Sequence, residues 1–174
     1  MKYLVRLFVI TLSLLVTTSL YAEDNIAFVD MKKLLNESKA GKSAQESLIK
    51  THESNVSKFK KIEENLKIDE SDLLSKKNIL KKEEYNEKAE DLRSRVKKYQ
   101  EERNEKLNRI ADQRQEAKTH LMTAIKKILD EYAEKNEIVL ILDTKDIILG
   151  KKERDITEAI IKKLDKELPS IILN

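Results

Sequence analysis

Hydrophobic and polar positions along this chain change period several times, and each change predicts a different element. Asn25-Ile26-Ala27-Phe28-Val29-Asp30 is a short, β-prone apolar run between polar residues and predicts a strand. Met31 to Glu37 predicts a short helix carrying Leu34 and Leu35, and Gly41 interrupts it. Ser43-Ala44-Gln45-Glu46 is a capping box, whose side chains satisfy free amides at a helix start, so a new helix is expected there. Apolar positions then step by threes and fours through Ala44, Leu48, His52, Val56, Phe59, Ile62 and Leu66. A longer series begins at Tyr85, Ala89, Leu92, Val96 and Tyr99. It continues through Arg103, Leu107, Ile110 and Arg114 to Ala117, Leu121, Ala124, Ile128 and Tyr132. Such spacing keeps one narrow stripe turned toward a partner helix.

Between the two series the stripe loses its phase. Asp69-Glu70-Ser71-Asp72 and Ser75-Lys76-Lys77-Asn78 are turn- and cap-forming words, which places a hairpin tip near residues 69–78. The flanks then fold back antiparallel as a coiled-coil arm over residues 43–133; an uninterrupted coil would leave the phase break without a cause. At ~1.5 Å per residue the first helix of the arm reaches on the order of 40 Å. The arm is expected to end near Glu134-Lys135-Asn136, with Asn136 in the left-handed conformation of a helix C-cap. Ile138-Val139-Leu140-Ile141-Leu142 predicts a strand buried on both faces or nearly so, and Ile147-Ile148-Leu149-Gly150 a further strand. Asp155-Ile156-Thr157-Glu158 caps a last helix that buries Ile156, Ala159, Ile160 and Leu164, and Pro169 stops it. Ile171-Ile172-Leu173 are expected to pack on the sheet.

The fold class that follows is α+β, mostly α. Residues 23–42 and 134–174 form a small β-containing body, and the long antiparallel hairpin projects from it like a tentacle. A body of about 60 residues lies near the lower limit for a self-sufficient core. The 138–142 run also offers more apolar surface than one small sheet facing one helix can cover. Both points predict a homo-oligomer joined through the body, at Ile26, Phe28, Val139, Ile141, Ile147 and Leu149.

The first 22 residues stand apart. Lys2 and Arg6 precede an apolar run from Leu7 to Val16, then polar Thr17-Thr18-Ser19, then Leu20-Tyr21-Ala22 before Glu23-Asp24. This is the layout of an export signal cleaved after Ala22, too short to span a bilayer, which needs roughly 20 apolar residues. The mature product is expected in a bacterial periplasm. Cysteine is absent, so neither a disulfide framework nor a lipid anchor on Cys is available. Charged residues make up 39%, with 2 Gly and 1 Pro, a composition of long helices. Lys and Arg total 35 against 32 Asp and Glu, interleaved, which argues against nucleic acid as a partner because a concentrated basic face is missing.

Candidate chemistry is sparse. His52 reads as a seam residue and His120 as a partly exposed helix residue; neither has the companions a metal site or a nucleophilic triad needs. Gly41 and Gly150 are too few for a phosphate-cradling loop, so no nucleotide or other cofactor and no enzymatic activity is expected. Arg103 and Arg114 interrupt the stripe, either as long stems laid on the seam or as charges facing a partner. Lys76, Lys77, Lys81 and Lys82 at the tip form a modest basic cluster, either a solvated turn or a weak contact for anionic lipid or acidic segments.

Two end segments carry a resemblance. Ile26-Ala27-Phe28-Val29-Asp30-Met31 with Leu34-Leu35, and Ile138 to Asp143 with Ile147-Ile148-Leu149, Asp155-Ile156-Thr157 and Ile160-Ile161, resemble the Skp/OmpH family of periplasmic chaperones over the whole mature chain. The resemblance implies a homotrimer whose hairpins surround a cavity that holds unfolded outer-membrane proteins without ATP. The arms depart from the family in being nearly charge-balanced rather than markedly basic, which puts strong lipid-surface binding in doubt. Asn136 stands where a glycine is common. Leu73, Leu74 and Ile79 near the tip are candidate contacts for unfolded clients, or else simply close the turn. The alternative function is a structural coiled-coil spacer or scaffold of the envelope with one fixed partner.

Overall fold

The computed structural model describes residues 25–173; the export signal and its cleavage after Ala22 lie outside the described residues. Strand β1 is Ile26–Val29, and helix α1, Met31–Glu37, follows it directly. The Asp30 carboxylate accepts the Lys33 amide at 2.8 Å and so caps α1. Helix α2 is Lys39–Ser75 and helix α3 is Lys82–Lys135, packed against each other as the hairpin. Strand β2, Leu140–Asp143, precedes two short 3₁₀ turns, and helix α4, Thr157–Glu167, closes the chain. At ~1.5 Å per residue α2 is about 55 Å long and α3 about 80 Å.

The second helix begins five residues earlier than the capping box suggests. Ser38, fully buried, is the N-cap, and its hydroxyl accepts from the Gly41 amide at 3.2 Å. The Lys39 amide is taken by the Asp165 carboxylate at 2.7 Å, so α4 supplies part of the cap. Gly41 therefore lies inside the first turn of α2 rather than between helices. A Cβ there would meet the Leu35 carbonyl oxygen at 2.0 Å, so only glycine lets α1 turn so closely into α2.

The tip also shifts. Residues 69–75 are helical, and the reversal occupies residues 76–81. Asp69 is held in the helix by Arg95 of α3, at 2.5 Å, rather than breaking it. The Lys76 amide folds back on the Asp72 carbonyl and the Ser75 hydroxyl donates to the same oxygen at 2.7 Å, which closes α2. The hairpin seam departs from the sequence stripe in its middle. Between Leu48 and Phe59 it runs through half-buried Thr51 and Asn55, leaving His52 and Val56 exposed. Between Tyr99 and Ala117 it runs through Glu102, Lys106, Ile110 and Gln113, with Arg103, Leu107 and Arg114 exposed. Adjacent helix positions differ by about 100°, so a shift of one residue moves a side chain from the seam to its flank.

Asn136 is not the left-handed residue: its φ is −109°, and Glu137 takes φ 55° instead. The Ile138 amide reaches the Ala133 carbonyl at 2.9 Å and the Glu137 amide the Glu134 carbonyl at 3.4 Å, the paired bonds of a Schellman end. Asn136 serves from its side chain, donating to the Tyr132 carbonyl at 2.7 Å.

β1 and β2 pair in parallel, Ile26 with Leu140 through Val29 with Asp143. Residues 147–149 form no strand. They lie between the 3₁₀ turns at Thr144–Asp146 and Lys152–Arg154, and the outer edge of β1 is taken instead by Asp155 and Ile156, whose amide donates to Phe28 at 3.0 Å. The core joins Val29 and Leu34 with Ile160 and Leu164 of α4 and with Ala117, Leu121, Ile125 and Ile128 of α3. Thus the last turns of α3, read from the sequence as arm, are central to the body. Ile171 is buried in this core and Leu173 packs on it, while Ile172 is 84% exposed.

One hydrogen-bond chain ties the two chain ends together. Asp155 accepts from the Thr157 amide at 2.9 Å and from its hydroxyl at 2.5 Å, and the same hydroxyl accepts the Asp30 amide at 2.9 Å. Thr157 is 2% exposed. Thr157→Val keeps the shape and the amide bond to Asp155 but leaves the Asp30 amide without its acceptor, so urea unfolding should show a loss of about 1–3 kcal/mol.

Candidate interaction surfaces

The tip sorts its apolar residues into two sets. Leu73 and Leu80 are half-buried and close the turn, whereas Leu74 is 59% and Ile79 80% exposed. The turn is held by the Ile79 and Leu80 amides, both bonded to the Lys76 carbonyl at 3.0 Å. Lys76 pairs with Asp72 at 2.6 Å, which reduces the basic cluster to the remaining lysines. Among the three tip candidates, the structure therefore presents Leu74 and Ile79 outward and turns Leu73 inward.

The body carries a second apolar surface. Paired residues of a parallel ladder share a face, and successive ones alternate. Ile26, Phe28, Leu140 and Leu142 therefore lie on one face, and Ala27, Val29 and Ile141 on the other. The second face is turned to the core: Ala27 and Val29 are each 2% exposed, and Ile141 packs on the core. The first stays open, with Leu140 47% and Ile26 39% exposed. The strand expected to be buried on both faces is thus covered on one only, since a single chain supplies helices to one side. Of the six expected oligomerisation positions, Ile26 and Phe28 share the open face, Val139 is 70% exposed just before β2, and Ile141 faces inward. Phe28 is partly covered by Gly150, where a Cβ would fall 2.6 Å from its ring. Ile147 is half-buried, and Ile148 and Leu149 are almost wholly exposed. Leu140 and Leu142, one position out of phase with the expected set, were legible only once the register was known.

Polar contacts across the arm set the register of the hairpin. The Tyr99 hydroxyl donates to Glu63 at 3.3 Å, Lys58 pairs with Glu102 at 3.6 Å, and Phe59 meets Tyr99 edge to face at 5.9 Å. The Lys67 ammonium, with help from Tyr99, holds the Glu63 carboxyl below its usual range, and Asp69 raises Arg95 further. These groups are exposed, and solvent screens such pairs, so they favour one register without anchoring the fold. Among the described residues no group of three or more His, Cys, Asp or Glu gathers to hold a metal ion, and both histidines are exposed. No helix among them is long and apolar enough to cross a membrane.

A long two-helix arm on a small body with a two-stranded parallel sheet defines an α+β class that is mostly helix. The chain belongs to the OmpH-like outer membrane protein family, whose profile matches residues 25–164. No curated protein matches the chain. Its fold is similar to the crystal structure of an OmpH-like outer membrane chaperone from Caulobacter crescentus CB15, with a TM-score of 0.80 at 15% identity, covering 86% of this chain and 89% of that one.

Proposed function

We propose that this chain is an ATP-independent holdase chaperone of the periplasm, which binds unfolded outer-membrane proteins between hairpin arms and prevents their aggregation. The observation that carries the reading is the open apolar face of the body together with an arm whose outward tip residues, Leu74 and Ile79, are apolar. Family membership and a structural neighbour described as an outer membrane chaperone support it. The open face and the exposed Ile148-Leu149 segment are what a second and third copy would cover, and a homotrimer places three arms around one cavity. Contacts in such a cavity are individually weak, and their number supplies the avidity. The work is binding rather than catalysis. The membrane-surface contact of the tip is at most weak, since Lys76 is already paired with Asp72.

The test is dilution of a urea-denatured β-barrel protein into buffer with and without the purified mature chain, followed by light scattering. Scattering should fall steeply once trimer is in stoichiometric excess, and unchanged scattering overturns the reading. A spacer with one fixed partner would ignore most unrelated unfolded clients. Sedimentation across a concentration series should give three chains per particle, and Leu140→Glu with Leu142→Glu should give one.

A further inference from the structure

The stripe residues that left the seam lie together along one edge of the arm. They are His52 and Val56 on α2 and Arg103, Leu107 and Arg114 on α3, joined by Ile49, which lies outside the stripe three positions before His52. Ile49, His52 and Arg114 line a groove of about 680 Å³, and His52, Val56, Arg103 and Leu107 line a second of about 260 Å³. His52 lines both, so the two adjoin. Phe59 and Tyr99, in edge-to-face contact, line the second groove as well.

This edge keeps apolar surface that a solvated helix face would not. Ile49 is 49%, Val56 52% and Leu107 44% exposed, although all three occupy positions beside a formed seam. Cations border them. Lys60 and Lys106 line the smaller groove and Arg114 and Lys118 the larger, and none of these four forms a salt bridge among the described residues. Two carboxylates line the same surface, Glu53 and Glu63, and Glu63 is already engaged by Lys67 at 2.8 Å. The edge is therefore both apolar and positive, on an arm whose charges otherwise balance closely.

We infer that this edge is a docking groove for extended, unfolded polypeptide segments in which carboxylates alternate with aliphatic side chains. The inference rests on the holdase reading and names the kind of segment the arm would hold. Alternation suits the site because successive side chains of an extended chain point to opposite sides. Aliphatic groups enter the groove beside Val56 and Leu107, and the intervening carboxylates lie within reach of the long cationic side chains on the rim. From Ile49 to Lys60 the helix rises about 16 Å, which matches about five residues of extended chain. The charge term is screened over about 8 Å at physiological salt, so it selects among segments passing close by and leaves distant ones alone.

The test uses the full mature chain and two fluorescein-labelled ten-residue peptides, one alternating valine with glutamate and one alternating valine with lysine. By fluorescence anisotropy the glutamate peptide should bind at least tenfold more tightly. Lys60→Glu with Lys106→Glu should remove that preference, while Lys88→Glu with Lys97→Glu, the same charge change elsewhere on the arm, should keep it. Val56→Ser with Leu107→Ser should weaken both peptides several-fold, and it decides the matter if the charge variant fails to fold by circular dichroism. Equal binding of the two peptides, or a preference untouched in the folded Lys60/Lys106 variant, overturns the groove. Suppressed aggregation without peptide discrimination sinks the groove alone. Peptide discrimination without suppressed aggregation sinks the holdase reading and leaves the groove standing.

Discussion

Leu34→Ala should lower the unfolding free energy by about 3–4 kcal/mol, within the range for leucine truncation at sites that do not collapse. Leu34 is 0% exposed on the short helix α1, which packs against α2, α3 and α4 at once. Three helices with their own fixed contacts cannot all close on the space left by a lost isobutyl group. A small body has only a few kcal/mol to lose, so the variant should be largely unfolded there at 37 °C. Urea titration by circular dichroism at fixed protein concentration reads this, because assembly makes stability concentration-dependent. Leu74→Ala on the exposed tip is the reference and should shift the midpoint by less than about 0.5 kcal/mol. Equal shifts for the two variants would mean that α1 is not part of the cooperative core.

Gly41→Ala should destabilise by about 2–3 kcal/mol, against the helix scale, on which alanine is better than glycine by about 1 kcal/mol. The new Cβ would meet the Leu35 carbonyl oxygen at 2.0 Å and its carbon at 2.9 Å. Those atoms are backbone at the last turns of α1 and cannot swing aside like the end of a side chain. Relief requires α1 and α2 to part, which also strains the Ser38 cap and the Asp165 bond to the Lys39 amide. The same urea titration decides the sign. A gain in stability would show that the corner opens freely and that helix propensity governs the site.

The elements legible in the sequence are those whose signals are local. The span Ile26–Val29, the helix Met31–Glu37, the end of α3 at Lys135 and the start of α4 beside Asp155 follow from apolar runs and caps that act within a few residues. The closing Asp-Ile-Thr word is a particular case: the N-cap position falls on Ile156 and has no side-chain bond, Asp155 instead accepts the Thr157 amide, and Thr157 reaches Asp30, a contact across 127 positions. Where two local signals competed, the tertiary fold chose. Ser38 and Ser43 are both credible caps, and Ser38 prevails because Asp165 and the α1 corner complete the cap there. Asp69 to Asp72 have turn-forming side chains, yet they stay helical because the partner helix continues alongside and Arg95 meets Asp69.

The interaction surfaces were legible only in part. The sequence offered Leu73, Leu74 and Ile79 at the tip, of which Leu74 and Ile79 are outward and Leu73 helps close the turn, and it showed the excess of apolar residues after Asn136. It could not identify the open face of the sheet, since a two-residue period leaves the choice of face to the pairing register, and Ile141 turned inward while Leu140 and Leu142 turned out. Residues 147–149 had strand composition but found no edge to pair with inside one chain.

By itself, then, the amino-acid sequence determined that this protein is a helical hairpin joined to a small α+β body, because hydrophobic period and caps act over short distances. The tertiary structure alone decided where α2 starts, where the hairpin reverses and which residues fill its seam. Each of those depends on a partner tens of residues away. His52, Val56, Arg103, Leu107 and Arg114 show the difference most clearly: by spacing they belong to the seam, and by the actual crossing of α2 and α3 they form the exposed edge beside it.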